Sequence, residues 1–367
     1  MLPNSRFRWF ALLCITVVIL SLVSIRSRLD GYLTIIPIRN PLSSLQASSI
    51  TTPPNITRSL VIARLAEEDT EWVTQFLGGE PLLTLAIYTV DDPNAELTVP
   101  ENKGHEVMVY LTYIIDHYHN LSDITLFMHS HPIAWHNNDL LDLSTVNIVR
   151  RLNNHKVMRD GYMNLRCHHD PGCPDYIHPV LDKESSDDAL NIPEAVVIGK
   201  AWLELFPDAT APPKVLSQPC CAQFAVSKDK IQMIPLSQYV FYRDWLLHTP
   251  LEDKLSGRVW EYTWQYIFGG VEEFCPMESV CYCDGYGVCF EGEAEYQQWF
   301  ALRKRSRALQ EELHIGTGQS NEVELMSEIG HIALDLQNRK NNAFERGKDP
   351  QIRALMAGRP WKDGDGF

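Results

Sequence analysis

Val107, Tyr110, Leu111, Ile114, Ile115 and Tyr118 recur at i, i+3, i+4, i+7, i+8 and i+11, which predicts an amphipathic helix packed on a core. The run ITLFM follows at 124–128 and reads as a short strand buried on both faces. Upstream, LVIA at 60–63 and LLTLAIYTV at 82–90 predict two further strands, with a helix over Glu67–Leu77 between them. Strand, helix, strand, helix, strand in that order predicts a mostly parallel sheet flanked by helices. CCAQFAVS at 220–227 adds another strand, and Ser237–Leu247 and Gly257–Phe268 read as helices. Residues 160–220 read as loop-rich. Past residue 291 the pattern changes to two charged helices, Tyr296–Leu313 and Glu322–Asn338.

The amino-terminal pattern is different in kind. Trp9–Ile25 is an uncharged stretch of 17 residues preceded by Arg6 and Arg8 and followed by Arg26 and Arg28. It predicts a transmembrane anchor at the short end of spanning length, and no small-x-small cleavage site follows it. The organisation expected is a cytosolic tail and anchor over 1–28, a stem over 29–57, a lumenal α/β domain over 58–290, and C-terminal helices and tail over 291–367. That layout makes a single-pass type II protein of the Golgi or endoplasmic reticulum, with secretion as the alternative. Apart from Cys14 in the apolar stretch there are eight cysteines, an even number that suits disulfides in an oxidising lumen. Cys167 and Cys173 are close enough in sequence to close a short loop. Asn55-Ile-Thr57 and Asn120-Leu-Ser122 are glycosylation acceptors for the same compartment. The net charge of −15 with no basic stripe interleaved with aromatics argues against nucleic-acid binding.

Candidate chemistry gathers where the parallel strands end, the place at which open α/β sheets bind ligands. His129, His131 and His136 follow the third strand and can serve as metal ligands or as substrate contacts in a packed loop. Asp91 and Asp92 follow the second strand; they can hold a divalent cation or simply form an Asp-Asp-Pro turn. Asn102 and Lys103 precede the long helix, with Asn102 as its expected cap and Lys103 with the free N–H groups suiting a diphosphate; Glu106 faces the same mouth. Arg258 and Glu261 lie one turn apart among Trp260, Tyr262, Trp264 and Phe268, where Glu261 can act as a general base or form an internal ion pair. GxSxG, HExxH, P-loop and GxGxxG motifs are absent, which excludes the commonest hydrolase, zincin, nucleotidase and dinucleotide-binding arrangements.

The segments LVIARLAEEDTEWV, NKGHEVMVYLTYIIDHYHNLSDITLFMHSH, AWHNN, GYMNLRC, PGCP, PCCAQFAVSKDKI, SGRVWEYTWQYIFG and GRPWKDGDGF resemble an uncharacterised domain family widespread in filamentous fungi. The resemblance covers residue 59 to the C-terminus, and that family implies no activity. The element order is also similar to that of GT-A-type nucleotide-sugar glycosyltransferases, although His129-Ser130-His131 stands where those enzymes carry Asp-x-Asp. This second likeness implies sugar transfer from a nucleotide sugar to a glycan, glycoprotein or small-molecule acceptor. Lys103, His129 and His131 would then hold the diphosphate, and Glu261 would act on the acceptor. It leaves the cofactor open, with manganese or magnesium ahead of zinc. The alternatives are a metal-dependent hydrolase or oxidase built on the histidines and a non-catalytic glycan-binding protein.

Overall fold

The computed structural model describes residues 55–181, 194–315 and 319–362. The apolar stretch at 9–25 and the stem lie outside them; among the described residues no helix is long and apolar enough to cross a membrane. Pro53–Phe367 form one compact unit.

Five strands make one mixed sheet in the order β2-β1-β3-β5-β4. Strands β1 (Arg58–Arg64), β2 (Leu83–Thr89) and β3 (Ile124–His129) run parallel, as the alternation of elements predicts. Strand β5 (Phe224–Ser227) pairs antiparallel with both β3 and β4 (Tyr162–Asn164). The sheet is therefore mixed rather than mostly parallel. The residues of β4 read as loop because three residues carry too little pattern to register as a strand.

Alternate residues of each strand feed two cores. Val61, Phe127, Phe224 and Val226 face one; Leu60, Ile62, Leu126, Met128 and Ala225 face the other. The first core is roofed by α2 (Val107–His117), in which every residue from Val107 to Ile114 is buried. Over Val107–Ile114 the helix is thus enclosed on all sides rather than on one stripe, and the polar positions there hold only Thr and Tyr, while Asp116 and His117 fall in the more open last turn. Trp260, Trp264 and Phe268 close that core, contributed by α8 (Asp253–Glu261) and the π-helical turn Gln265–Gly269. Helices α5 (Glu194–Leu205) and α7 (Leu236–His248) pack alongside, the former in a region that read as loop.

The second core is covered by α1 (Glu71–Leu77), α3 (Thr145–Arg151), α4 (Asn154–Asp160) and α9 (Glu278–Tyr286). The long helices α10 (Glu293–Ile315) and α11 (Gln319–Arg346) join it through Trp299, Leu309 and Leu336. Short helices α6 (Lys228–Gln232) and α12 (Pro350–Met356) complete the chain. The eight cysteines from Cys167 to Cys289 are all paired, as Cys167–Cys281, Cys173–Cys275, Cys220–Cys221 and Cys283–Cys289. Cys167 and Cys173 do not close a loop on each other. They clamp the segment after β4 to the segment around α9.

Candidate functional site

The chain leaves β1 for β2 on one side, then crosses to place β3 on the other side of β1. Such a reversal opens a crevice at the carboxyl end of the central strand. A cleft of about 480 Å³ lies there, lined by Arg64 and Glu68 after β1, Val90 after β2, His129, Ser130 and His131 after β3, and Asn102, His105, Glu106 and Asp253. The helix mouth and the imidazoles beyond β3 therefore share one cavity.

Gly104 and His105 approach α2 with φ of +74° and +52°, so the helix starts at Val107 with Glu106 as its cap residue. Asn102 lies too far upstream to cap it and lines the cleft instead. The backbone N–H groups of Gly104 and His105 donate to Asp253 Oδ1 at 2.6 and 3.2 Å. The anion position at this mouth is filled from within the protein, by the first turn of α8. Lys103 does not line the cleft; its Nζ donates to the Leu247 and Thr249 carbonyls at the end of α7, at 3.2 and 2.7 Å. Close approach of α8 depends on Gly257, where a Cβ would meet His105 Cδ2 at 2.7 Å and the Gly104 carbonyl at 3.3 Å.

Glu106 reaches towards His129, with Oε2 4.0 Å from Nε2, and keeps 18% of its side chain exposed. Burial pushes its carboxyl up to about 7. Its own backbone N–H and His105 pull the other way, while the charges of Glu261 and Asp253 add to the rise. Burial lowers the His129 imidazole to about 4 against the pull of Glu261, and lowers His136 to about 3 with the help of the neighbouring His129 and Arg166. Both imidazoles are neutral at physiological pH, with rings 4.9 Å apart and both Nε2 atoms buried without a hydrogen-bond partner. On the cleft's other wall, Glu68 accepts from Ser130 Oγ at 2.9 Å and lies 3.8 Å from His131 Nε2.

The loop after β3 is held by amides. Gln223 on the approach to β5 accepts from His129 N at 3.1 Å and donates to Asn137 Oδ1 at 2.9 Å. Asn137 and Asn138 are buried and bind the Leu143 and Leu165 carbonyls. Arg166 donates to the His136 carbonyl and stacks its guanidinium 5.5 Å from the Trp135 ring, which remains 69% exposed. Trp135 is an exposed loop residue whose ring meets the His136 ring edge-on at 5.4 Å.

Other sequence-level candidates stand apart. Asp92 Oδ1 accepts from Asn94 N at 2.9 Å, the hydrogen bonding of a turn, and Asp91 Oδ1 accepts from Ala66 N at 2.7 Å, tying that turn to the loop after β1; neither lines the cleft. Glu261 is buried, takes Arg258 Nη1 on Oε2 and the Cys221 N–H on Oε1 at 2.8 Å, and acts on Glu106 and His129 only through its charge. His129, His131 and His136 do not converge on one point as a metal site requires. Among the described residues the one such grouping is Cys220, Cys221 and Glu261, whose sulfurs are joined in a disulfide. The acids that the sequence reading missed are Glu68 and Asp253. Glu68 was legible as an acid just past a parallel strand, whereas Asp253 enters through tertiary packing alone.

The chain belongs to the family described as Protein of unknown function (DUF3431), and the match spans residues 60–284. No curated protein and no solved structure matches it.

Proposed function

We propose that this DUF3431 protein transfers a sugar from a nucleotide sugar to a hydroxyl of a glycan, glycoprotein or small metabolite, and that Glu106, rather than Glu261, takes the acceptor's proton. The observation that carries this reading is the Glu106 carboxyl, pushed up to about 7 beside a neutral His129 at the carboxyl end of β3. A base works best when its pKa lies near the working pH, because it is then both available and strong enough. In the step, an acceptor oxygen attacks the anomeric carbon, its proton passes to Glu106, and the nucleoside diphosphate leaves with the bonding pair. Arg64, His105 and His131 stand on the lining as cationic or hydrogen-bonding partners for that leaving group. Trp135, exposed in the loop after β3, offers a flat apolar face for a sugar ring. The three parallel strands and their switch point support a GT-A-like reading of this half of the sheet. Residence in a Golgi or endoplasmic reticulum lumen, held by the 9–25 stretch as a type II anchor, is part of the same proposal. The four disulfides and the exposed sequon residues Asn55 and Asn120 support it.

A thermal-shift screen of nucleotide sugars against the purified protein tests the reading, since a ligand that binds the native state alone raises the melting point. Manganese and magnesium belong in the screen, because an acidic cleft meets a diphosphate more readily with a divalent cation between them. A shift with one donor, lost in His131→Ala, supports the proposal; no shift with any donor, with or without metal, removes it. A second reading, a metal-dependent hydrolase or oxidase, draws on the unpartnered Nε2 atoms of His129 and His136. Stoichiometric zinc, copper or iron in purified protein, lost in His136→Ala, would favour it.

A further inference from the structure

The opposite end of the sheet carries a second cleft, of about 550 Å³, with a different chemistry. Arg58 at the start of β1 and Leu82 just before β2 form part of its wall, so it opens at the amino ends of the parallel strands. Arg58, Arg150, Arg151, Arg353 and His155 line it, and among the described residues no Asp or Glu does. A chain of net charge −15 has thus gathered four guanidiniums around one hollow.

These groups are anchored by the surrounding structure. Arg58 is buried and gives Nη1 to the Val149 carbonyl at 2.8 Å. Arg150 pairs with Glu80, outside the lining, at 2.6 Å. Arg151 lies 4.0 Å from the centre of the Phe344 ring, and among the described residues no carboxylate pairs with it. Burial lowers the Arg353 guanidinium to about 10; Asp284 pulls it up, and the charges of Arg151 and Arg359 push it down. Asn154 on the same wall keeps its Oδ1 buried without a partner; turning that amide over offers two N–H donors.

We propose that this cleft binds a phosphate group, on a soluble phosphorylated ligand or on a lipid headgroup, through the forks of Arg58, Arg151 and Arg353 with His155. Planar guanidiniums present paired N–H donors that match phosphate oxygens, and several of them around one concavity select a multiply charged anion. The site stands apart from the acid–base cleft and does not depend on the transferase reading.

Calorimetric titration of the full-length protein with pyrophosphate tests it, after enzymatic deglycosylation because Asn55 is exposed at the cleft. Expected are a Kd below about 1 mM at physiological salt and at least about tenfold weaker binding in Arg151→Gln. The melting point of that variant without ligand is measured alongside. Should it fall, Arg151→Lys replaces it, keeping the charge while losing the fork, with at least about threefold weaker binding expected. Phosphatidylcholine vesicles with and without phosphatidic acid distinguish the sources. Protein that sediments with the acidic vesicles and is released by pyrophosphate points to a headgroup; pyrophosphate binding without sedimentation points to a soluble ligand. No pyrophosphate binding up to about 10 mM overturns the proposal, even if vesicles sediment the protein, because diffuse charge attraction needs no cavity. Unchanged affinity in the Arg151 variants overturns it as well.

Discussion

Replacing Glu106 by Gln removes a charge while keeping the shape of a side chain that is 18% exposed and stands 4.0 Å from His129. In the folded protein this carboxyl is raised from 4.5 to about 7, chiefly by burial. Between those values the native state holds a proton that the unfolded chain has released, so wild-type stability falls as pH rises and the loss is complete above about 7. At about 1.4 kcal/mol per pH unit, the ionised carboxylate costs the native state about 3 kcal/mol at pH 8 and under about 1 kcal/mol at pH 5. Glu106→Gln does not ionise and is therefore more stable than wild type by about those amounts. For a unit of about 300 residues the unfolding entropy is about 0.6 kcal/mol/K, which makes the gain about 5 °C in Tm at pH 8 and about 1 °C at pH 5. Thermal melts of both proteins by circular dichroism at the two pH values measure it. His129 and His136 titrate in an overlapping window with the opposite sign, since their lowered values make the protein less stable as pH falls from 6.5 towards 4. Comparing variant with wild type at each pH removes most of that contribution. A gain that is equal at pH 5 and pH 8, or a variant that melts lower at pH 8, would refute the reasoning.

Three further outcomes follow from other parts of the structure. Gly104→Ala places a Cβ 2.7 Å from Leu246 Cδ1 at a φ of +74°, so the protein should lose about 2 kcal/mol, or about 3 °C in Tm, by calorimetry. Cys167→Ser with Cys281→Ser opens a bridge across 114 residues and should cost about 4 to 5 kcal/mol, read as a lower melting point and a lower yield of folded protein. Trp135→Ala should raise the acceptor KM by up to about tenfold while leaving donor affinity unchanged in the same kinetic assay, if the exposed ring in the loop after β3 is the acceptor's stacking face.

The residues whose pattern has a period were legible. The helix from Val107 announced its burial by spacing and the runs LVIA and ITLFM by unbroken apolar composition, and the rule that ligands gather at strand ends pointed to the cleft from His129 and His131 beside the helix mouth. What the sequence left hidden depends on long-range packing. Lys103 looks like a phosphate ligand beside a helix mouth, but α7 offers it two carbonyls and Asp253 occupies the mouth. Asn102 looks like a helix cap, but the positive φ of Gly104 and His105 delays the helix to Val107. Glu261 carries the right surroundings for a base, yet Arg258 and the Cys221 N–H occupy both of its oxygens. The direction of β5 was equally invisible, because a four-residue apolar run packs the same way whichever end enters the sheet.

The most direct test of the central claim is the rate of nucleoside diphosphate release, measured on wild type and Glu106→Gln side by side with the donor that the binding screen identifies. If Glu106 takes the acceptor's proton, the variant binds that donor normally and turns over at least about 100-fold more slowly. Wild-type turnover in Glu106→Gln, with the donor bound equally well, would contradict the account.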